Sequence, residues 1–122
     1  METVAFIFTV IAALLHGYFF VLEMFLWTTR TGLRVFHMKQ EVANSSKVLA
    51  ANQGLYNGML ALGLFISLIL PDSSHAMAIR LYCLGFIIVV GCYGSYSLKS
   101  FKVFVIQALP AIIAFAALLL VN

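Results

Sequence analysis

Charge is what this sequence most lacks. Seven Lys and Arg and four Asp and Glu make up 9% of its 122 residues, while 64% are hydrophobic. Globular chains run about 25% charged and about 45–50% apolar, so a soluble domain of this size cannot hide the surplus. With a mean hydropathy of +1.09, the chain reads as an integral membrane protein. Cysteine is almost as scarce. Cys83 and Cys92 lie about 13 Å apart on opposite faces of one predicted helix, at ~1.5 Å and ~100° per residue, which excludes a disulfide between them. They read as small packing residues. No clustered Cys and His set has metal-ligand spacing, so no metal is expected, and no cofactor fingerprint is visible.

What is present is a set of long apolar runs. Val4–Trp27, Val48–Leu70, Leu81–Leu98 and Val103–Val121 each approach the ~20 residues that cross a ~30 Å hydrocarbon core. The expected fold is all-α: a four-transmembrane-helix bundle forming one membrane domain over residues 1–122. The first run reads as a span, not a cleaved signal. It lacks a basic n-region, exceeds the usual ~7–15 apolar residues and contains His16 and Glu23.

Basic residues set the expected orientation. Arg30, Arg34, Lys39 and Lys47 flank the first loop and Lys99 and Lys102 the third, against Arg80, beside Asp72, at the second. This bias places both termini outside and the first and third loops in the cytoplasm. The positive balance therefore points to anionic lipid rather than nucleic acid, for which no basic domain exists. In the first loop, Leu33, Phe36 and Val42 among charged residues predict a short surface helix, broken from the first span at Thr31–Gly32. Asn44, Ser45 and Ser46 are expected to cap the second span. "PDSSHA" reads as a tight turn, and the few residues of the third loop make the last two spans antiparallel neighbours.

The polar residues inside the spans form a pattern. Along the second span, Val48, Leu55, Met59, Leu62, Ile66 and Ile69 make a lipid-facing stripe, and Ala50, Gly54, Gly58 and Ala61 a small-residue stripe suited to close packing. Asn52, Gln53, Tyr56 and Asn57 occupy the remaining arc and are expected to point into the bundle. His16, Phe20, Glu23 and Trp27 share a face of the first span, as do Tyr82, Gly85, Val89, Tyr93 and Tyr96 on the third. On the fourth, Gln107 shares a face with Pro110, whose missing N–H frees the carbonyl of Ile106. At ~1.5 Å per residue, Glu23, Asn52, Gln53, Tyr93 and Gln107 lie about 6–8 Å inside the cytoplasmic ends of their spans, and Asn57 about 14 Å. This predicts a polar pocket open to the cytoplasm and closed by an apolar outer half.

Asn, Gln and Tyr in a bundle commonly act as interhelical glue, worth about 0.6–2 kcal/mol. Glu23 is harder to read that way. An ionisable residue inside a span costs about 2.5–3.5 kcal/mol and by default marks function. Glu23 is thus the candidate proton donor or acceptor, with His16 a weaker second. Asn52, Gln53, Tyr56, Asn57, Tyr93 and Gln107 are the candidate ligand-binding residues.

The stretches "HGYFFVLEMFLW", "ANQGLYNGMLALGL" and "QALPA" resemble a family of small four-span bacterial membrane proteins known only as a domain of unknown function. The resemblance covers nearly the whole chain. It implies a four-helix membrane fold in the bacterial cytoplasmic membrane and carries no activity or substrate. Small multidrug-resistance exporters are similar in length and in a carboxylate in the first span. Their antiparallel dimers need weak topological bias, and their fourth span carries a glycine-rich pattern, both of which this chain lacks.

Three functional readings follow. The first is a pocket that binds, and acts on or merely holds, a small amphipathic or lipid-like molecule. The second is a proton-coupled transporter, and the third a structural or partner-binding membrane protein. Membrane lipids, a small amphipathic ligand and a second copy of the chain are the expected partners. Without a nucleophile–base pair, no reaction class is named.

Overall fold

The computed structural model describes residues 1–71 and 73–121, so Asp72, in the expected second turn, lies outside the described residues. The described residues form helices and connections without strands. The helices are α1 (Glu2–Met24), α2 (Arg30–Val35), α3 (Gln40–Ile69), α4 (Ser73–Ser97) and α5 (Phe101–Val121). Among the described residues, α1, α4 and α5 are long and apolar enough to cross a membrane. The 30-residue α3 is not one of the three, because its polar cluster from Asn52 to Asn57 dilutes an otherwise apolar run.

Several boundaries differ from the expected ones. α1 ends at Met24 rather than Trp27, because Leu26 N–H divides itself between the carbonyls of Val21 and Leu22, each at 3.2 Å. Thr29 then turns the chain, donating from Oγ1 to the Leu26 carbonyl at 2.7 Å and capping α2 by accepting from Gly32 N–H. Thr31 and Gly32 therefore lie inside α2, and the break falls before them. Gly32 sits where a Cβ would meet the carbonyl oxygens of Leu26 and Trp27, so a side chain there cannot fit without moving backbone. Asn44, Ser45 and Ser46 do not cap a helix. α3 begins at Gln40, and Ser45 and Ser46 donate back to the Val42 carbonyl at 3.0 and 2.6 Å, which satisfies serine hydroxyls inside a helix. "PDSSHA" is a shorter turn than expected, since α4 starts at Ser73. Arg80, counted with the loop charges, consequently lies two turns inside α4.

The chain divides into two compact units, one of Met1–Leu15 with the chain from Ala61 onward, the other His16–Leu60. In the first, α4 buries Ala76, Cys83, Leu84, Ile87 and Gly91, a stripe at spacings of three and four. Cys83 packs beside Gly63 of α3, where a Cβ would come within 2.9 Å of Sγ, whereas Cys92 is exposed and does no such packing. α5 buries Ala108, Ala111, Ala114, Ala117 and Leu118. Small residues on both sides let α4 and α5 approach closely, the usual source of helix association in lipid.

The closest approach is at Gly91, where a Cβ would lie 3.1 Å from both Cβ and N of Ala108. Gly85 has more room, its nearest neighbour being Phe115 Cε2 at 3.7 Å. Gly91→Val is therefore expected to destabilise by about 2 kcal/mol through overpacking. Gly85→Ala is expected to stabilise by about 0.5–1 kcal/mol through helix propensity. Thermal unfolding of the two variants in detergent should separate them in opposite directions from wild type.

α5 opens with a wide π turn over Phe104–Ala108, in which Leu109 N–H reaches the carbonyl of Phe104. The ladder has thus shifted from i−4 to i−5 before it meets Pro110. The expectation of a single carbonyl freed at Ile106 assumed an unbroken α register; with the shift, Pro110 stands five residues after Val105. Such π turns are local bulges in otherwise α-helical segments.

Candidate functional site

Within the unit His16–Leu60, a buried carboxyl meets a buried amide. Glu23, in the last turn of α1, is only 5% exposed and Asn57 of α3 only 7%. Asn57 Nδ2 donates to Glu23 Oε1 at 2.6 Å, a short hydrogen bond between two buried side chains. Glycine makes this reach available to a short side chain. A Cβ on Gly54 would lie 3.0 Å from Glu23 Cβ and from Met24 N, and one on Gly58 would lie 2.8 Å from the ring of Phe20. The G-x-x-x-G face of α3 thus packs against α1 of the same chain.

The end of α1 is tied down around this pair. Phe20 and Phe25 meet edge to face with centroids 5.5 Å apart. Trp27 is held on both sides: its Nε1–H donates to Ser46 Oγ at 3.0 Å and its ring lies 4.8 Å from that of Phe36. Gln40 adds a bridge, donating from Nε2 to the Thr28 carbonyl at 3.2 Å and to Asn44 Oδ1 at 2.9 Å.

Of the other expected site residues in this unit, Asn52, Gln53 and Tyr56 are not gathered at this pair. Asn52 is exposed and bonds its own helix, donating to the Val48 carbonyl at 2.9 Å. Gln53 is exposed, and Tyr56 and Tyr93 are 71% and 69% exposed. The expectation that Asn52, Gln53 and Tyr56 point inward is corrected here, and the reason is geometric. Ala50, Gly54, Asn57 and Leu64 form the covered stripe of α3; positions 52 and 56 lie more than ~90° around the helix from its centre, at ~100° per residue, while 53 borders the stripe and is nonetheless exposed. Val48, Leu55, Met59, Leu62, Ile66 and Ile69 are exposed. Tyr93 stands on an exposed face of α4, with Tyr96 at 6.4 Å between ring centroids. Gln107 is half-buried in the π turn of α5, in the other unit, with Oε1 close to Gly94 of α4.

His16 is fully buried and meets Phe19 edge-on at 5.6 Å. It shares with Glu23 the covered stripe of α1, which begins with Ala5, Thr9 and Ala12, and stands about 10 Å along the helix from Glu23 at ~1.5 Å per residue. Two buried polar residues escaped the sequence reading. Thr9 donates to the carbonyl of Ala5 at 2.6 Å, and Ser67 to that of Leu64 at 2.6 Å. A hydroxyl in an apolar run reads as filler, and only the covered stripes, visible as spacing, could have singled them out.

Chemically, Glu23 can take or give a proton, and Asn57 fixes the position of one carboxyl oxygen. The protein these features define is all-helical among its described residues, with three helices suited to a membrane and one buried carboxyl–amide pair. The chain belongs to the family described as "Protein of unknown function (DUF1304)", which matches residues 10–119. It is similar to an uncharacterised protein, YpaA, of Lactococcus lactis subsp. lactis (strain IL1403), at 36% identity over 116 residues, covering 93% of this chain and 95% of the relative. No solved structure matches it.

Proposed function

We propose that this protein crosses the bacterial cytoplasmic membrane four times, with both termini outside, and binds a small amphipathic or lipid-like molecule beside Glu23. α3 is the additional span in this reading. It is long enough, since 20 residues at ~1.5 Å suffice for the core, and the basic loops set the orientation. The observation that carries the reading is the Glu23–Asn57 contact at 2.6 Å. A carboxyl at membrane depth is expensive and marks function by default, and here the chain has built a donor and two glycines around it.

The exposed side of α3 supports a lipid-like ligand. Asn52, Gln53 and Tyr56 are exposed beside Leu55 and Met59, so polar and apolar groups alternate on a surface that faces lipid. A molecule with a polar head and an acyl body finds both kinds of contact there. Glu23 would exchange a proton with it or hold its head.

A photoreactive benzoylphenylalanine at Tyr56, next to Asn57 in sequence, checks this in intact membranes. Irradiation should yield one dominant small-molecule adduct by mass spectrometry, reduced at least tenfold when Glu23→Gln is added. A spread of unselected phospholipid adducts, equal in both proteins, would reject the ligand and favour a purely structural pair.

A further inference from the structure

A second feature lies wholly within the unit formed by Met1–Leu15 and the chain from Ala61 onward. It is a cavity of about 400 Å³ whose polar wall includes Arg80, Ser67, Ser73 and Glu2, and whose apolar wall includes Leu68 and Leu118. Its size falls within the ~300–1,000 Å³ range of small-molecule sites. Arg80 is half-buried here, on a face of α4 that also presents Ser73, Ala76 and Met77 to the cavity.

How Arg80 is held decides what it can do. Its Nε–H donates to Ser67 Oγ at 3.2 Å and its Nη2 to the Ser67 carbonyl at 2.6 Å. Ser67 is itself buried, at 1% exposure, and its carbonyl is one of those at the C-terminal end of α3 that lack an onward helical donor. The side edge of the guanidinium therefore caps α3. That role consumes two of the five N–H donors. Three N–H groups, two on Nη1 and one on Nη2, are not used by Ser67; one from each nitrogen forms the end edge, the bidentate fork that fits a carboxylate or phosphate. A helix cap explains the side edge alone. It does not call for a cavity of this size against the same side chain.

We propose that this cavity is a binding site for an anionic amphiphile, its oxyanion held by the end edge of Arg80 and its acyl chain lying along Leu68 and Leu118. Ser73, at the first turn of α4, adds a hydroxyl and the positive end of a 25-residue helix. Glu2 on the same wall opposes the charge and limits affinity. The site is independent of Glu23, and it takes its ligand from the membrane end opposite the basic loops in the orientation proposed above. Arg80 is the single Lys or Arg at that end.

The test is a thermal-shift titration of the purified full-length protein in neutral detergent. Phosphatidylglycerol, phosphatidylcholine and inorganic phosphate are added separately to wild type, Arg80→Gln, Met77→Trp and Glu23→Gln. Wild type and Glu23→Gln should show a saturable rise in Tm with phosphatidylglycerol and at least tenfold weaker response to phosphatidylcholine and to phosphate. Met77→Trp fills the cavity while leaving the Arg80–Ser67 contacts in place, so it should keep the ligand-free Tm and lose the response. Glu2→Gln should strengthen it. Arg80→Gln should lose it where the variant folds, and Met77→Trp carries the test where it does not. An equal response to the two lipids, a response retained by Met77→Trp, or inorganic phosphate matching the lipid would each overturn the proposal.

Discussion

Gly54→Val is expected to lower stability by about 3 kcal/mol, the upper end for overpacking. A single added Cβ at this position would already lie 3.0 Å from Glu23 Cβ and from the backbone nitrogen of Met24. The backbone atom cannot swing aside as a side-chain end can, so α3 must retreat from α1. Retreat also lengthens the 2.6 Å Asn57–Glu23 contact, which adds its own loss. Gly54→Ala should fall much lower on the scale, because helix propensity returns about 1 kcal/mol of what the clash removes. Unfolding of both variants in a detergent titration checks the order. A valine variant as stable as the alanine variant would mean that α1 and α3 are not in close contact.

Asn57→Leu is expected to cost about 1–3 kcal/mol, because it leaves the Glu23 carboxyl buried without the donor that faces it. Glu23→Gln should cost under 1 kcal/mol, since an amide oxygen can still accept from Asn57. Combining Asn57→Leu with Glu23→Leu should recover part of the loss, because neither polar group is then left alone. The double-mutant cycle should give a coupling of about 1–2 kcal/mol, at the upper end for polar pairs in membrane bundles. Additive losses would show that the two side chains do not act together.

The parts of this structure legible in the sequence are those fixed by spacing. Val48, Leu55, Met59, Leu62, Ile66 and Ile69 were readable as an exposed stripe because a helical period places them in one sector. Gly54 and Gly58 were readable as a packing face for the same reason, and Glu23 stood out because a carboxylate in an apolar run is costly. What spacing does not say is how wide the covered arc is. Asn52, Gln53 and Tyr56 belong to the same polar cluster as Asn57, yet α1 covers only the stripe through Asn57, and the other three fall outside it. Nor does hydropathy mark where a helix ends. Trp27 continues the apolar run of α1, but the divided hydrogen bond at Leu26 and the fit of Gly32 under the turn stop the helix at Met24. Arg80 was misplaced for the opposite reason: a charge near a turn reads as loop, while Ser67 supplies the partners that let it sit inside α4. The π turn of α5 left only Pro110 as a trace in the sequence.

The central claim is that the Glu23–Asn57 pair serves a bound molecule, and native mass spectrometry of the gently solubilised protein tests it most directly. Wild type, Glu23→Gln and Arg80→Gln should be compared, each first shown to be folded by its unfolding transition. The account predicts one specific small mass retained by wild type and by Arg80→Gln and lost from Glu23→Gln. Retention of that mass by folded Glu23→Gln, or its absence from all three, would contradict the account and leave the pair as a lock between α1 and α3.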